Sequence, residues 1–138
     1  MNFKPLARVD FLAVHCSADP AATAWDVDAA TIRQRHRQKG WRDIGFHFVI
    51  RMGGMVEAGR PVTQPGAHEP RINSRSLGIC LVGYAPFTPA QLGSLETLLR
   101  DLKTQHPEAE VIGLRDVPGV RSTSPGFDVR EWWAALNP

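Results

Sequence analysis

The apolar residues of this chain fall in short unbroken runs or at helical spacing, and the switches between the two patterns mark its elements. Phe11-Leu12-Ala13-Val14, inside Asp10–His15, is apolar throughout and reads as a central strand with both faces buried. Asp28 is an N-cap signal for a helix from about Ala29 to Lys39, and Gly40 suits the position just past its end. Only Ile32 is strongly apolar in that helix, which carries Arg33, Arg35, His36, Arg37 and Lys39, so a surface location is expected. Gly45–Arg51 reads as a second strand, Met52–Met55 as a hairpin turn with glycines available for positive φ, and Met55–Ala58 as the returning strand. Arg60–Ser76 contains Pro61, Pro65 and Pro70 and has no period, so it is expected to be a long loop. Leu77–Val82 reads as a buried strand. Thr88-Pro89-Ala90-Gln91 is a capping box with proline at the first helical position, and the helix behind it puts Leu92, Leu95, Leu98, Leu99 and Leu102 on one face. Ala109–Ile112 is a last short strand and Gly113–Phe127 a loop. Asp128 then caps a final helix, with Glu131 at N3, that packs through Trp132, Trp133 and Leu136. The order β-α-β-β-β-α-β-α predicts an α/β fold: a single domain over 1–138 with a mixed central sheet flanked by helices.

Composition narrows the class. At 138 residues and 43% apolar, the chain has enough core to fold without staples, and Cys16 and Cys80 make no disulfide framework. No CxxC pair exists, which excludes a zinc ribbon. No apolar run reaches the roughly 20 residues of a membrane span, and no signal-peptide core follows Lys4 and Arg8, so a cytoplasmic protein without a membrane partner is expected. A net charge of +2 gives no reason to expect nucleic acid as a partner. The cations are 13 Arg against 3 Lys, a bias that suits planar carboxylate or phosphate recognition and equally reflects GC-rich coding.

Six ordered motifs resemble one family. They are Val14-His15-Cys16-Ser17, Gly40-Trp41-Arg42-Asp43-Ile44-Gly45-Phe46-His47-Phe48, Val56-Glu57-Ala58-Gly59-Arg60, Gly66-Ala67-His68, Asn73–Gly83, and Ser124-Pro125-Gly126-Phe127-Asp128. Together they look like the zinc-dependent N-acetylmuramoyl-L-alanine amidases, a family that includes small phage lysozyme-amidases and the peptidoglycan recognition proteins. The resemblance runs from about Arg8 to Trp133 and implies that family's fold. It also implies metal-assisted amide hydrolysis, in which three ligands hold Zn²⁺, the open position activates water, and nearby donors stabilise the oxyanion.

Position by position, the resemblance gives a depleted site. His15 matches the first zinc ligand. Phe46 stands where the helper tyrosine is expected. In Gly113-Leu114-Arg115-Asp116, Leu114 replaces the second ligand, a histidine. In Arg121-Ser122-Thr123-Ser124-Pro125, Ser122 replaces a catalytic lysine and Ser124 a cysteine ligand. Leucine offers a metal no lone pair, and a neutral serine hydroxyl is a poor zinc ligand. The expectation is therefore a relic ligand at His15, no catalytic residues, no metal and no cofactor. The binding groove is expected to involve His15, Phe46, His68, Asn73, Arg75, Leu114, Ser122 and Ser124, with Arg71, Arg75 and Arg115 available to carboxylates.

The remaining candidates have plainer readings. His47 is expected to be structural, His36 solvated, His106 a helix-end residue, and Cys16 and Cys80 inert packed thiols. His15, His68 and Asp116 would form a substitute metal site only if the last loop were rearranged. A serine nucleophile in Ser122-Thr123-Ser124 lacks an evident base. The Arg33–Arg42 cluster reads as a solvated face or as a contact for an acidic partner. Three functions stay open: a non-catalytic binder of muropeptides or related small ligands, an active amidase with a rearranged metal site, and a phage or prophage regulatory protein acting on a protein partner.

Overall fold

The computed structural model describes residues 5–18 and 25–137. Among them, β1 (Phe11–Cys16), β2 (Phe48–Ile50), β3 (Val56–Ala58), β4 (Ser76–Leu81) and β5 (Glu110–Gly113) form one mixed sheet in the order β3-β2-β4-β1-β5. Every pairing is parallel except the β2–β3 hairpin. β1 is thus flanked on both sides, as its unbroken apolar run predicts. Register brings His15 opposite Cys80 of β4 and Val14 opposite Gly113, the last residue of β5. Three helices complete the layers: α1 (Ala29–Gln38), α2 (Pro89–Gln105) and α3 (Val129–Leu136).

Strand alternation divides the core. Leu12 and Val14 of β1 and Leu77, Ile79 and Leu81 of β4 pack against Leu95, Leu99 and Leu102 of α2, with Val129, Trp132 and Trp133 of α3 alongside. The opposite face presents Val49 and Cys80 to Ala29 and Ile32 of α1, and Ala13 and Ile112 to Ile72 and Val117. α1 has no other buried side chains, which fits its polar sequence.

Local signals set the ends. Asp28 accepts from Thr31 N at the start of α1, and Gly40 beyond its C-cap has φ +92°. The capping box of α2 is complete: Thr88 Oγ1 accepts from Gln91 N at 3.1 Å, and Gln91 Oε1 accepts from Thr88 N at 3.1 Å. Thr88 Oγ1 also donates to Met52 O at 2.8 Å, tying the helix start to the β2–β3 turn. Thr88→Ala should therefore lower stability by about 1 kcal/mol in urea unfolding, and an unchanged midpoint would show the cap to be energetically idle.

Two expectations on boundaries change. The second strand is shorter than Gly45–Arg51 because the backbone of Gly45 is used elsewhere. Its N–H donates to His36 Nδ1 at 2.9 Å and its carbonyl accepts from Ala67 N at 3.0 Å. A side chain at position 45 would collide with the Ala67 carbonyl, so the loop lies directly on this glycine. The Arg60–Ser76 loop is also not featureless: Asn73–Arg75 forms a 3₁₀ turn leading into β4. Among the described residues, no helix is long and apolar enough to cross a membrane.

Candidate functional site

His15 leaves β1 on the α1 face and meets a residue from far along the chain. Its Nε2 lies 2.9 Å from His68 Nδ1, and His68 Nε2 lies 2.9 Å from Ser76 Oγ. Ser76 Oγ donates to Ile72 O at 2.7 Å, so it must accept from His68 Nε2–H. Burial favours the neutral form of both rings, so His68 Nδ1 is an acceptor and His15 Nε2–H donates to it. That leaves a lone pair on His15 Nδ1, which has no hydrogen-bond partner among the described residues. Burial pushes the His15 pKa down to about 4, against a weaker upward pull from Glu69. Burial also lowers His68 well below 6.5, helped by its neighbours His15, His47 and Arg60.

A missing side chain makes the pairing possible. A Cβ on Gly78 of β4 would sit 2.6 Å from His68 Cγ, so the ring lies against bare backbone. Asn73 holds the approach: its Oδ1 accepts from His68 N at 3.0 Å and from Glu69 N at 2.8 Å. Glu69 is buried, which opposes its ionisation, but hydrogen bonds from Arg71 outweigh this and hold its carboxyl below the usual range. His47 is buried, accepts from Gly78 N through Nδ1 at 3.0 Å, and donates to Gln64 O through Nε2 at 2.8 Å. It is structural, as expected.

The last loop closes on the end of β1. Leu114 follows Gly113 directly and opens a 3₁₀ turn, Leu114–Asp116. Ser124 is pinned at three atoms. Its N–H donates to Ser122 Oγ at 3.1 Å, its carbonyl accepts from Arg115 N at 2.9 Å, and its Oγ accepts from Cys16 N at 2.9 Å. Cys16 Sγ lies 3.3 Å from both Ser124 Oγ and Ala18 O. Asp116 does not join His15 and His68. Its Oδ2 accepts from Gly113 N at 2.8 Å, and its Oδ1 lies 3.9 Å from Arg130.

Beside these residues is a cleft of ≈460 Å³ lined by Cys16, Ser17, Ile32, Arg35, His36, Lys39 and Phe46 among others. Phe46 packs edge-on against His15, with ring centroids 5.1 Å apart. Three expectations need correction here. His36 is not simply solvated: it accepts from Gly45 N and packs on Trp41 with centroids 4.5 Å apart. Cys16 is half-buried and lines the cleft, whereas Cys80 is wholly buried and its thiol pKa is raised by that burial. Arg71 and Arg75 are engaged elsewhere, Arg71 with Glu69 at 2.7 Å and Arg75 with Asp10 at 3.3 Å, so the cleft draws its cations from Arg35 and Lys39.

The model of the N-acetylmuramoyl-L-alanine amidase family matches residues 5–127. The chain belongs to this family. The endolysin of Klebsiella phage KP32 is 44% identical over 128 residues, covering 87% of this chain and 82% of the phage protein. The N-acetylmuramoyl-L-alanine amidase LysC from Clostridium intestinale superposes with a TM-score of 0.79 at 29% identity, over 99% of this chain and 95% of that one. A tyrosine-to-phenylalanine variant of Drosophila PGRP-LB, solved in complex with tracheal cytotoxin, superposes with a TM-score of 0.77 at 26% identity, over 94% and 82% of the two chains.

The family resemblance assigns zinc to the positions of His15, Leu114 and Ser124. Leu114 has no donor atom, and Ser124 offers a neutral hydroxyl whose oxygen accepts from the Cys16 N–H. His15 alone offers an imidazole lone pair. Among the described residues, no three of His, Cys, Asp and Glu are grouped so as to hold a metal. Behind His15, the hydrogen-bonded chain to His68 and Ser76 is complete. The His68–Ser76 chain fixes the orientation of the His15 ring.

Proposed function

We propose that this phage-type amidase homologue binds peptidoglycan stem fragments without hydrolysing them. The donor set carries the reading. With His15, Leu114 and Ser124 at the ligand positions, zinc has one ligand in place of three, and with Phe46 and Ser122 the two helper groups are gone. The frame around them is complete, so the cleft is preserved while the reactive groups are not. Phe46 and Ile32 offer apolar surface, and Arg35 and Lys39 offer charge to the carboxylates of a stem peptide. The PGRP-LB complex with tracheal cytotoxin supports a ligand of this class.

Calorimetry with a muramyl peptide should show binding that Arg35→Ala with Lys39→Ala weakens by about tenfold or more. Purified protein should carry no zinc by elemental analysis, and digested sacculi should release no stem peptide by mass spectrometry. Near-stoichiometric zinc, or released peptides, would establish instead an amidase with a rearranged metal site. Absence of heat with every stem peptide would remove the binding reading.

A further inference from the structure

His36 reaches the cleft with one of its two ring nitrogens already assigned. Nδ1 accepts from Gly45 N at 2.9 Å, and a backbone N–H can only donate. A proton on Nδ1 would oppose that bond, so the ring carries its proton on Nε2. Burial first, then the nearby Lys39 and Arg60, hold the imidazole below its usual range, which keeps it in this neutral form. The ring is also clamped. It packs on Trp41 with centroids 4.5 Å apart and lies 5.8 Å from Phe46, and Trp41 N donates to the His36 carbonyl at 3.1 Å.

Nε2–H has no hydrogen-bond partner among the described residues, yet it is not sealed away. Among those residues, the fully buried side-chain nitrogen or oxygen without a partner is Arg51 Nε, so His36 Nε2 is open to the cleft that the ring lines. Its tautomer, orientation and opening are therefore set before any ligand arrives.

The groups beside it are of one kind. Arg35 of α1 and Lys39 at its C-cap are four residues apart and line the same cleft, Lys39 with its Nζ 5.5 Å from the Trp41 ring centre. Among the described residues, no carboxylate lines this cleft. Gln38 lines it as well, but an exposed amide turns either end to a ligand and selects neither donor nor acceptor. Arginine, lysine and the histidine N–H offer donors only. A carboxylate has acceptors for all three, whereas a carboxamide would set an NH₂ group against them. We infer, resting on the stem-fragment reading for the ligand, that His36 Nε2–H is a specificity-determining contact through which this end of the cleft takes a free carboxylate and rejects the corresponding amide.

The test uses the intact protein. Acetate, acetamide and chloride are titrated at constant ionic strength while NMR follows the ring nitrogens of His36, assigned by their absence from His36→Asn. The wild type should show the Nε2–H tautomer and shift with acetate but not with acetamide or chloride. Calorimetry then compares a muramyl peptide as its free acid and as its amide. The acid should bind about tenfold or more tightly than the amide. In His36→Asn, Oδ1 can still accept from Gly45 N but nothing occupies the Nε2 position. This variant should bring the two affinities together with circular dichroism unchanged. His36→Gln, whose amide N–H reaches toward the Nε2 position, should recover part of the preference. Acetate shifts in a protein that binds no muramyl peptide would keep the contact and remove the stem-fragment reading. Equal affinity for acid and amide, or a preference that survives in His36→Asn, would overturn the contact and leave that reading standing. A ring found in the Nδ1–H tautomer, or one unmoved by acetate, would overturn it as well.

Discussion

The quadruple variant Phe46→Tyr, Leu114→His, Ser122→Lys, Ser124→Cys is expected to bind zinc at one ion per chain, measured by elemental analysis after dialysis. One of the three ligands is in place. His15 is buried and held by its Nε2–H to His68, so its Nδ1 lone pair needs no reorganisation to meet a metal. β5 ends opposite Val14, which starts the last loop at Leu114 beside the end of β1, and Ser124 already touches Cys16. Binding should also raise stability, by about 4 kcal/mol at a thousandfold excess of zinc over its dissociation constant. One hazard is visible in advance. A thiol at position 124 would lie next to Cys16 Sγ, now 3.3 Å from Ser124 Oγ, so the protein must be kept reduced or a disulfide will consume the new ligand. A folded, reduced variant that takes up no zinc would mean that the last loop does not present these positions to His15.

Much of this architecture was legible because its determinants are local. The α2 capping box, the Leu95–Leu99–Leu102 stripe and the glycine after α1 are each readable within a few residues. The apolar run of β1 suffices to place that strand inside the sheet. The family motifs located His15, Phe46, Leu114, Ser122 and Ser124 for a related reason, since each sits in a short pattern of fixed spacing.

What was hidden depends on contacts between distant segments. Nothing near His68 announces that it will lie on Gly78 and accept from a histidine 53 residues earlier. His36 looks solvated on a basic helix, yet the fold brings it the Gly45 N–H and the ring of Trp41. Gln91 is a capping residue by pattern. In the structure it is also a buried crosslink, with Nε2 donating to Val82 O at 2.9 Å. Each of these polar groups is satisfied by a partner that topology, rather than neighbouring sequence, brings to it.

Stability should fall steeply as the pH is lowered from about 7.5 to about 5, before most carboxylates titrate. An unfolded histidine takes up its proton near pH 6.5, whereas folded His15 resists until about pH 4. The unfolded state therefore binds more protons throughout that interval. The contribution of His15 is complete above pH 6.5, declines as the pH falls, and is exhausted below about pH 4. At about 1.4 kcal/mol for each tenfold change in proton affinity, His15 alone accounts for about 2 kcal/mol by pH 5 and about 3 kcal/mol by pH 4. His68 and His47 are shifted in the same direction by burial and add to the slope. Glu69 and Asp43, whose pKa values are lowered, give up stability only below the ordinary carboxylate range, which keeps the upper part of the window specific to histidine. Urea midpoints across this range should shift accordingly, and His15→Gln, which has no proton to gain, should show a shallower profile. A flat profile would mean that the folded rings accept protons as readily as free ones. The N–H···N bond between His15 and His68 could not then be as assigned, because two protonated imidazoles have no acceptor nitrogen between them.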